Sequence, residues 1–268
     1  MKKNFFYQLL KNDAHPITAI FHFTGGFSVL CCQALREMTQ PPFYWKLIIR
    51  EIYFIGIQSI FLVCITALAT GCVMALQFGY GLEKFGGTLY VPKIVSLVIL
   101  REMGPVFTSL LIAGRIGSGI ASEVGSMQIT QQIDAMRALG TSPIKKIVIP
   151  KLIASMVSFP LLTLIADYVS LVGAMVICNN ELGINHEYFI AKTIETLRIY
   201  DLTTSMAKTV VFAFFISLTA CWKGLNTEGG TQAIGNSTTW VVVTSSIFIM
   251  ISDFFLTKLF ILTVYPPP

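Results

Sequence analysis

Five apolar stretches of the chain, at residues 52–78, 94–120, 147–178, 205–222 and 239–264, alternate with polar segments. A helix needs about 20 apolar residues to cross the hydrocarbon core, and residues 59–76 carry no charge at all. An earlier apolar stretch, residues 17–38, is interrupted by Gly25-Gly26 and closed by Arg36-Glu37 and Pro41-Pro42. It predicts a helix lying in the membrane interface. Phe43, Tyr44 and Trp45 beside Lys46 and Arg50 read as an interfacial aromatic belt.

The connections have patterns of their own. Residues 79–87 are a Gly-rich loop. Residues 123–143 carry Glu123, Gln128, Gln131, Gln132, Asp134 and Arg137, while Ile129, Ile133 and Met136 fall on one helical face and Gly140 and Pro143 are stop signals. This predicts a short amphipathic helix on the water side between spans two and three. Residues 179–204, with Glu181, Glu187, Glu195 and Asp201 among them, predict an extramembrane helix between spans three and four. In span two, Ala113, Gly117, Ala121 and Gly125 share one face, and Gly114, Ser118 and Ser122 the next. Such small faces let helices approach closely in lipid. The fold expected is an all-α integral membrane protein: an N-terminal interfacial region (1–51) and a five-span bundle (52–264) forming one unit over residues 1–268.

Composition agrees, with 54% hydrophobic and 12% charged residues, against about 25% charged in soluble domains. Mean hydropathy is +0.71. The net charge of +5 is a topology signal; no basic stripe interleaved with aromatics points to nucleic acid. Lys2, Lys3, Lys11, Arg36, Lys46 and Arg50 precede span one, and Arg115, Arg137, Lys145, Lys146 and Lys151 surround the connection between spans two and three. Both regions are expected in the cytoplasm, which puts the C-terminus on the opposite side after five spans. The start of the chain, from Met1 through Asp13, His15 and Pro16, shows neither a signal-peptide pattern nor a transit peptide.

Several chemistries are missing. The six cysteines form no C-x-x-C pair, and most lie in apolar runs as small core side chains. No Walker A motif and no H-E-x-x-H occur. Gly117-Ser118-Gly119 lacks the leading Gly of a nucleophile elbow, because Ile116 stands there. The chain is therefore read as a non-enzyme, with no metal and no cofactor of its own.

The sharpest chemical feature is Arg101-Glu102 inside span two, followed by Gly104-Pro105. A charge at mid-bilayer costs about 2.5–3.5 kcal/mol on insertion scales, so such groups pair or face a polar path. Either a mutually neutralising pair or the lining of a path for an amphiphilic substrate satisfies that rule. Gly104-Pro105 is expected to bend the helix and free backbone carbonyls there. Asp167 and Asp253 are further intramembrane acids, each as easily structural as functional. The amphipathic segment suits docking to a partner, and an ATPase would supply the missing P-loop.

The run Arg101-Glu102-Met103-Gly104-Pro105, then Ala113-Gly114-Arg115, Ala121 to Met127 and Gln132-Ile133-Asp134-Ala135, with Asp253 to Thr257 near the end, resembles the MlaE/YrbE family of ABC-transporter permeases. The resemblance covers residues 52–260 in order. It implies a homodimeric permease of the bacterial inner membrane moving phospholipids between inner and outer membranes. It also implies two cytoplasmic ATPases that bind the ATP, a periplasmic ring of MCE-domain proteins and, in some systems, a STAS-domain protein. By position, Arg101 and Glu102 match the charged pair near the lipid cavity, which Gln77 of span one would also line. Residues 123–139, including Glu123, Met127, Gln131, Gln132, Asp134 and Arg137, match the coupling helix on the ATPase; Gln131 departs from the Glu common there. The rival readings are a self-sufficient secondary transporter or channel, an intramembrane enzyme acting on lipid, and a structural anchor.

Overall fold

The computed structural model describes residues 16–41 and 44–264. Residues 1–15, with Lys2, Lys3 and Lys11 of the charge argument, lie outside the described residues, as do Pro42, Phe43 and 265–268. Helix α1 is Pro16–Met38. Span one, Trp45–Glu83, joins α2 (Trp45–Ile55) to α3 (Ile60–Glu83). Span two, Thr88–Ile129, strings together α4 (Val91–Val98), α5 (Gly104–Ile112) and α6 (Ser118–Ile129). The short α7 is Gln132–Ala138. Span three is Ile144–Asn180, containing α8 (Ile149–Asn180). Helix α9 is His186–Thr196, α10 (Ile199–Leu225) is span four, and α11 (Thr231–Val264) contains span five. No strand occurs among the described residues.

The spans extend past the apolar windows. Span one has 39 residues, about 58 Å of helix at 1.5 Å per residue, against about 30 Å of hydrocarbon. Its ends project into the interfaces, where charge no longer marks the end of a helix. Span four likewise starts at Ile199, because Asp201 Oδ2 accepts from the Arg198 backbone N–H at 2.9 Å and closes its first turn. The helix expected outside the membrane is accordingly confined to α9, where Lys192 donates to Glu195 at 2.6 Å and holds that carboxyl below its usual range.

In lipid no hydrophobic effect drives helices together, so close packing of small residues must do it. Span one carries Val63, Ala67, Gly71, Ala75 and Gly79 at every fourth position, and all five are buried. They face Ser170, Gly173 and Ala174 of span three, and Ser170 Oγ donates to the Ala67 carbonyl at 2.8 Å. A methyl on Gly71 would overlap the Ser170 carbonyl, and one on Gly173 would sit 2.8 Å from the Leu68 carbonyl.

Span four is the axis of the other half. Its apolar window is 61% buried, that of span five only 6%. Span five buries one narrow stripe, Ser237, Val241, Ser245 and Ile249, again every fourth residue. The Gly117 face of span two meets Ile216 and Val241 there. Helix α1 docks through Phe27, stacked near Phe215 of span four and Phe248 of span five with centroids 6.3 and 6.2 Å away. Gly26 approaches the Trp222 indole.

Gly71→Ala should lower thermal stability in detergent by about 1–3 kcal/mol, the cost of overpacking a close helix crossing. Gly81→Ala, where an added methyl meets nothing, should leave Tm unchanged or raise it. Equal effects of the two would refute the crossing as drawn.

Candidate functional site

Arg101 and Glu102 lie on a widened π turn, Ile99–Met103, immediately before Gly104-Pro105. The cause is local. Pro105 has no N–H for the carbonyl four residues earlier, and its ring crowds that carbonyl. The residue four earlier is Arg101. Its freed carbonyl accepts from Lys208 Nζ of span four at 3.0 Å. Gly104 is needed after this turn because a methyl there would overlap the Asp167 carboxyl group of span three.

Lys208 is 3% exposed and sits at the centre of a polar cluster. Its three N–H groups reach Arg101 O at 3.0 Å, Glu102 Oε1 at 3.0 Å and Thr257 Oγ1 at 2.7 Å. Thr257 in turn donates to Glu102 Oε1 at 3.1 Å. Asp253 Oδ1 lies 2.9 Å from the ammonium as a charge contact without a hydrogen bond, the three donors being already used. Arg101 pairs separately, its Nε donating to the buried Asp201 Oδ1 at 2.7 Å. The adjacent Arg and Glu therefore do not neutralise each other. Neighbouring residues on a helix point apart, and each finds its partner on span four.

The cluster faces a cavity of about 240 Å³ lined by Arg101, Glu102, Lys208 and Thr257, with apolar walls from Val98 and Phe260. Such a site offers both charges beside hydrocarbon, the pattern that an amphiphile fits. Gln77 is exposed on span one and is not among the residues lining this cavity. Asp167 is outside the cluster as well: it is buried, and neither of its carboxyl oxygens has a hydrogen bond among the described residues.

At the other end of the bundle the expected amphipathic helix is two pieces. Span two continues as α6 to Ile129, where Thr130 Oγ1 turns back to the Ser126 carbonyl at 2.8 Å. Gln131 then takes a left-handed conformation, φ 59°, and α7 starts at Gln132. Ile129 thus belongs to a different helix from Ile133, which is fully buried, and Met136, which packs on the core. Asp134 and Arg137 form an exposed pair at 2.9 Å, and Gln131 and Gln132 are also exposed. Glu123 and Met127 sit on the end of span two. There Glu123 accepts from the buried Lys151 at 2.7 Å, which also donates to Glu51 of α2 at 2.9 Å.

Sequence reasoning missed Lys208, and it named Lys151 and Thr257 without placing either in a polar cluster. A signal existed for the first: a lone lysine in an apolar span requires a carboxylate, and Glu102 and Asp253 lay within other spans.

A family model described as Permease MlaE matches residues 48–259. The chain belongs to the MlaE permease family. A probable ABC transporter permease protein of Rickettsia bellii is 37% identical over 88% of this chain and 91% of its own length. A probable ABC transporter permease protein of Synechocystis is 36% identical over 93% and 95%. The chloroplastic protein trigalactosyldiacylglycerol 1 of Arabidopsis thaliana is 31% identical over 87% of this chain and 66% of its own length. As an ABC permease this MlaE protein is the multi-pass, non-catalytic membrane subunit, and a separate ATPase is its partner.

Lys208→Met should cost about 3–5 kcal/mol, because it leaves Glu102 and Asp253 facing each other without a cation. The triple variant with Glu102→Gln and Asp253→Asn should recover most of that loss. Thermal unfolding in detergent reads both; a Lys208→Met protein as stable as the parent would show the cluster to be energetically idle.

Proposed function

We propose that this chain is the permease of a bacterial phospholipid transporter that moves lipid between inner and outer membranes and so maintains outer-membrane lipid asymmetry. The observation that carries this reading is the Lys208 cluster: paired charges that open onto an apolar-walled cavity inside a membrane bundle. A phosphate and an amine or hydroxyl headgroup can engage Arg101 and Glu102 while acyl chains stay in the apolar surround. The lipid named in the chloroplast relative supports a lipid cargo.

The cation-rich end, with Arg50, Arg137, Lys145 and Lys146, faces the cytoplasm by the positive-inside rule. The N-terminus is then cytoplasmic and the C-terminus periplasmic, in the inner membrane. Residues 1–268 act as one permease unit. Two copies assemble, and the thinly buried span five leaves ample apolar surface for lipid or a second copy. The cavity between the copies is lined near Gln77, Arg101 and Glu102. The ATPase docks on α7 and the end of span two, at Met127, Gln131, Gln132, Asp134 and Arg137, with Glu123 behind them. An MCE-domain ring stands on the periplasmic side, with a STAS-domain protein as a further subunit in some systems. ATP-driven closure of the ATPases pushes α7 and reshapes the cavity.

A gentle pull-down of the tagged chain from native membranes should bring an ATPase, an MCE-domain protein and phospholipid. A chain recovered alone and lipid-free would favour a self-sufficient transporter. Glu102→Ala and Glu102→Lys should each impair lipid transfer with expression intact, the Lys form more strongly because it sets a second ammonium beside Lys208. Unchanged transfer by both would remove Glu102 from the mechanism.

A further inference from the structure

A second, larger cavity of about 800 Å³ opens at the cation-rich end of the bundle, remote from the Lys208 cluster. Three helical segments present charged side chains to it. Helix α2 presents Arg50, Glu51 and Phe54; α6 presents Glu123; the start of span three presents Lys146 and Lys151. Lys151 is spoken for by Glu51 and Glu123. Arg50 and Lys146 are exposed and make no ion pair among the described residues. Three cations thus face two carboxylates, and the surplus is a single positive charge.

Depth narrows the ligand. Trp45 begins the same helix and is 65% exposed, as expected of an aromatic at the headgroup level. Phe54, one helical turn past Arg50, is 42% exposed and also lines the cavity, so the wall turns apolar toward the hydrocarbon. The floor is open at Gly119, where an added methyl would meet nothing within 4 Å. Gln132 and Met136 of α7 form part of the far wall, and Glu123, Met127 and Gln132 are shared between the cavity and the proposed ATPase contact. A monoanion with an apolar tail satisfies all of these features together: its phosphate takes the surplus charge, and its chains leave along Phe54.

We propose that this cavity holds the phosphodiester headgroup of an anionic phospholipid from the surrounding leaflet, as a resident lipid that braces α7 against α2. This rests on the membrane-spanning fold and not on lipid being the transported cargo.

The test uses the full chain, purified with its ATPase, in phosphatidylcholine nanodiscs doped with a photoactivatable phosphatidylglycerol. Crosslinked peptides should map to residues 47–54 and 146–151. Labelling there should fall about fivefold for each cation lost in Arg50→Gln and Lys146→Gln, the worth of one basic residue at an anionic surface. Arg50→Lys with Lys146→Arg should retain it. Gly119→Phe should block it by filling the floor, and Gly81→Ala, at the far end of span one where an added methyl meets nothing, should leave it intact. Labelling that ignores both the charge variants and Gly119→Phe would overturn the proposal. Full competition by inorganic phosphate would mean a free-anion site and overturn the lipid. Labelling seen only after the ATPase is stripped away would make the cavity a protein-docking cleft, which also overturns it.

Discussion

A charge inside a bilayer must be compensated from within the protein, and this bundle is organised around one such compensation. Lys208 is almost wholly buried, so span four brings its ammonium to the Arg101 carbonyl and Glu102 on span two and to Asp253 and Thr257 on span five. That requirement fixes the relative height and rotation of three spans at once. It also accounts for the widened turn before Gly104-Pro105. A proline in the middle of a span normally strands a carbonyl in hydrocarbon, and here the stranded carbonyl is one of the ligands that Lys208 needs. The defect in one helix and the charge in another each supply what the other lacks.

The remaining contacts divide the bundle into a tight and a looser part. Spans one and three meet backbone to backbone over Gly71 and Gly173, and their crossing leaves no room for a methyl. Packing of that kind has one well-defined arrangement and resists sliding. Spans four and five meet along one narrow stripe, so most of the surface of span five is left to lipid or to another chain. Span two belongs to both parts. It carries Arg101 and Glu102 toward span four at one end and Glu123 toward Lys151 at the other. Movement of span two is therefore felt at both polar clusters.

Much of this was legible in the sequence. Hydropathy gave five spans, because the need for about 20 apolar residues is enforced by the bilayer itself. The charged pair in span two stood out because charge there is rare. What failed did so for specific reasons. The boundaries failed because projecting helices such as residues 45–51 and 199–204 are as polar as loops, and only the cap at Asp201 tells them apart. The continuous amphipathic helix over 123–140 failed because periodicity cannot register a single left-handed residue: a turn at Gln131 preserves the composition and cancels the shared face of Ile129 and Ile133. Of the two readings open for Arg101-Glu102, the mutually neutralising pair is not formed, because adjacency in sequence is not adjacency across a helix, while the partners, Asp201 and Lys208, lie about 100 residues away.

Under the proposed docking of the ATPase on α7, that break at Gln131 bears on how force passes through the molecule. A continuous helix from span two into the connection would act as a rigid lever, moving its intramembrane charges with every push at its tip. The left-handed turn separates α7 from α6, so a push on α7 alone could be lost in the hinge. Two contacts oppose that loss. Ile133 is wholly buried, which ties α7 into the core. Lys151 clamps Glu123, two turns before the hinge, to both span three and α2. A load on α7 is thus delivered to the ends of three spans together rather than down one helix. Spans one and three are locked at Gly71 and Gly173, while span two carries widened turns at Ile99–Met103 and Ala113–Gly117. The first of these turns carries Arg101 and Glu102, so any shift of span two there works against their ion pairs to Asp201 and Lys208 and is felt at the polar cavity.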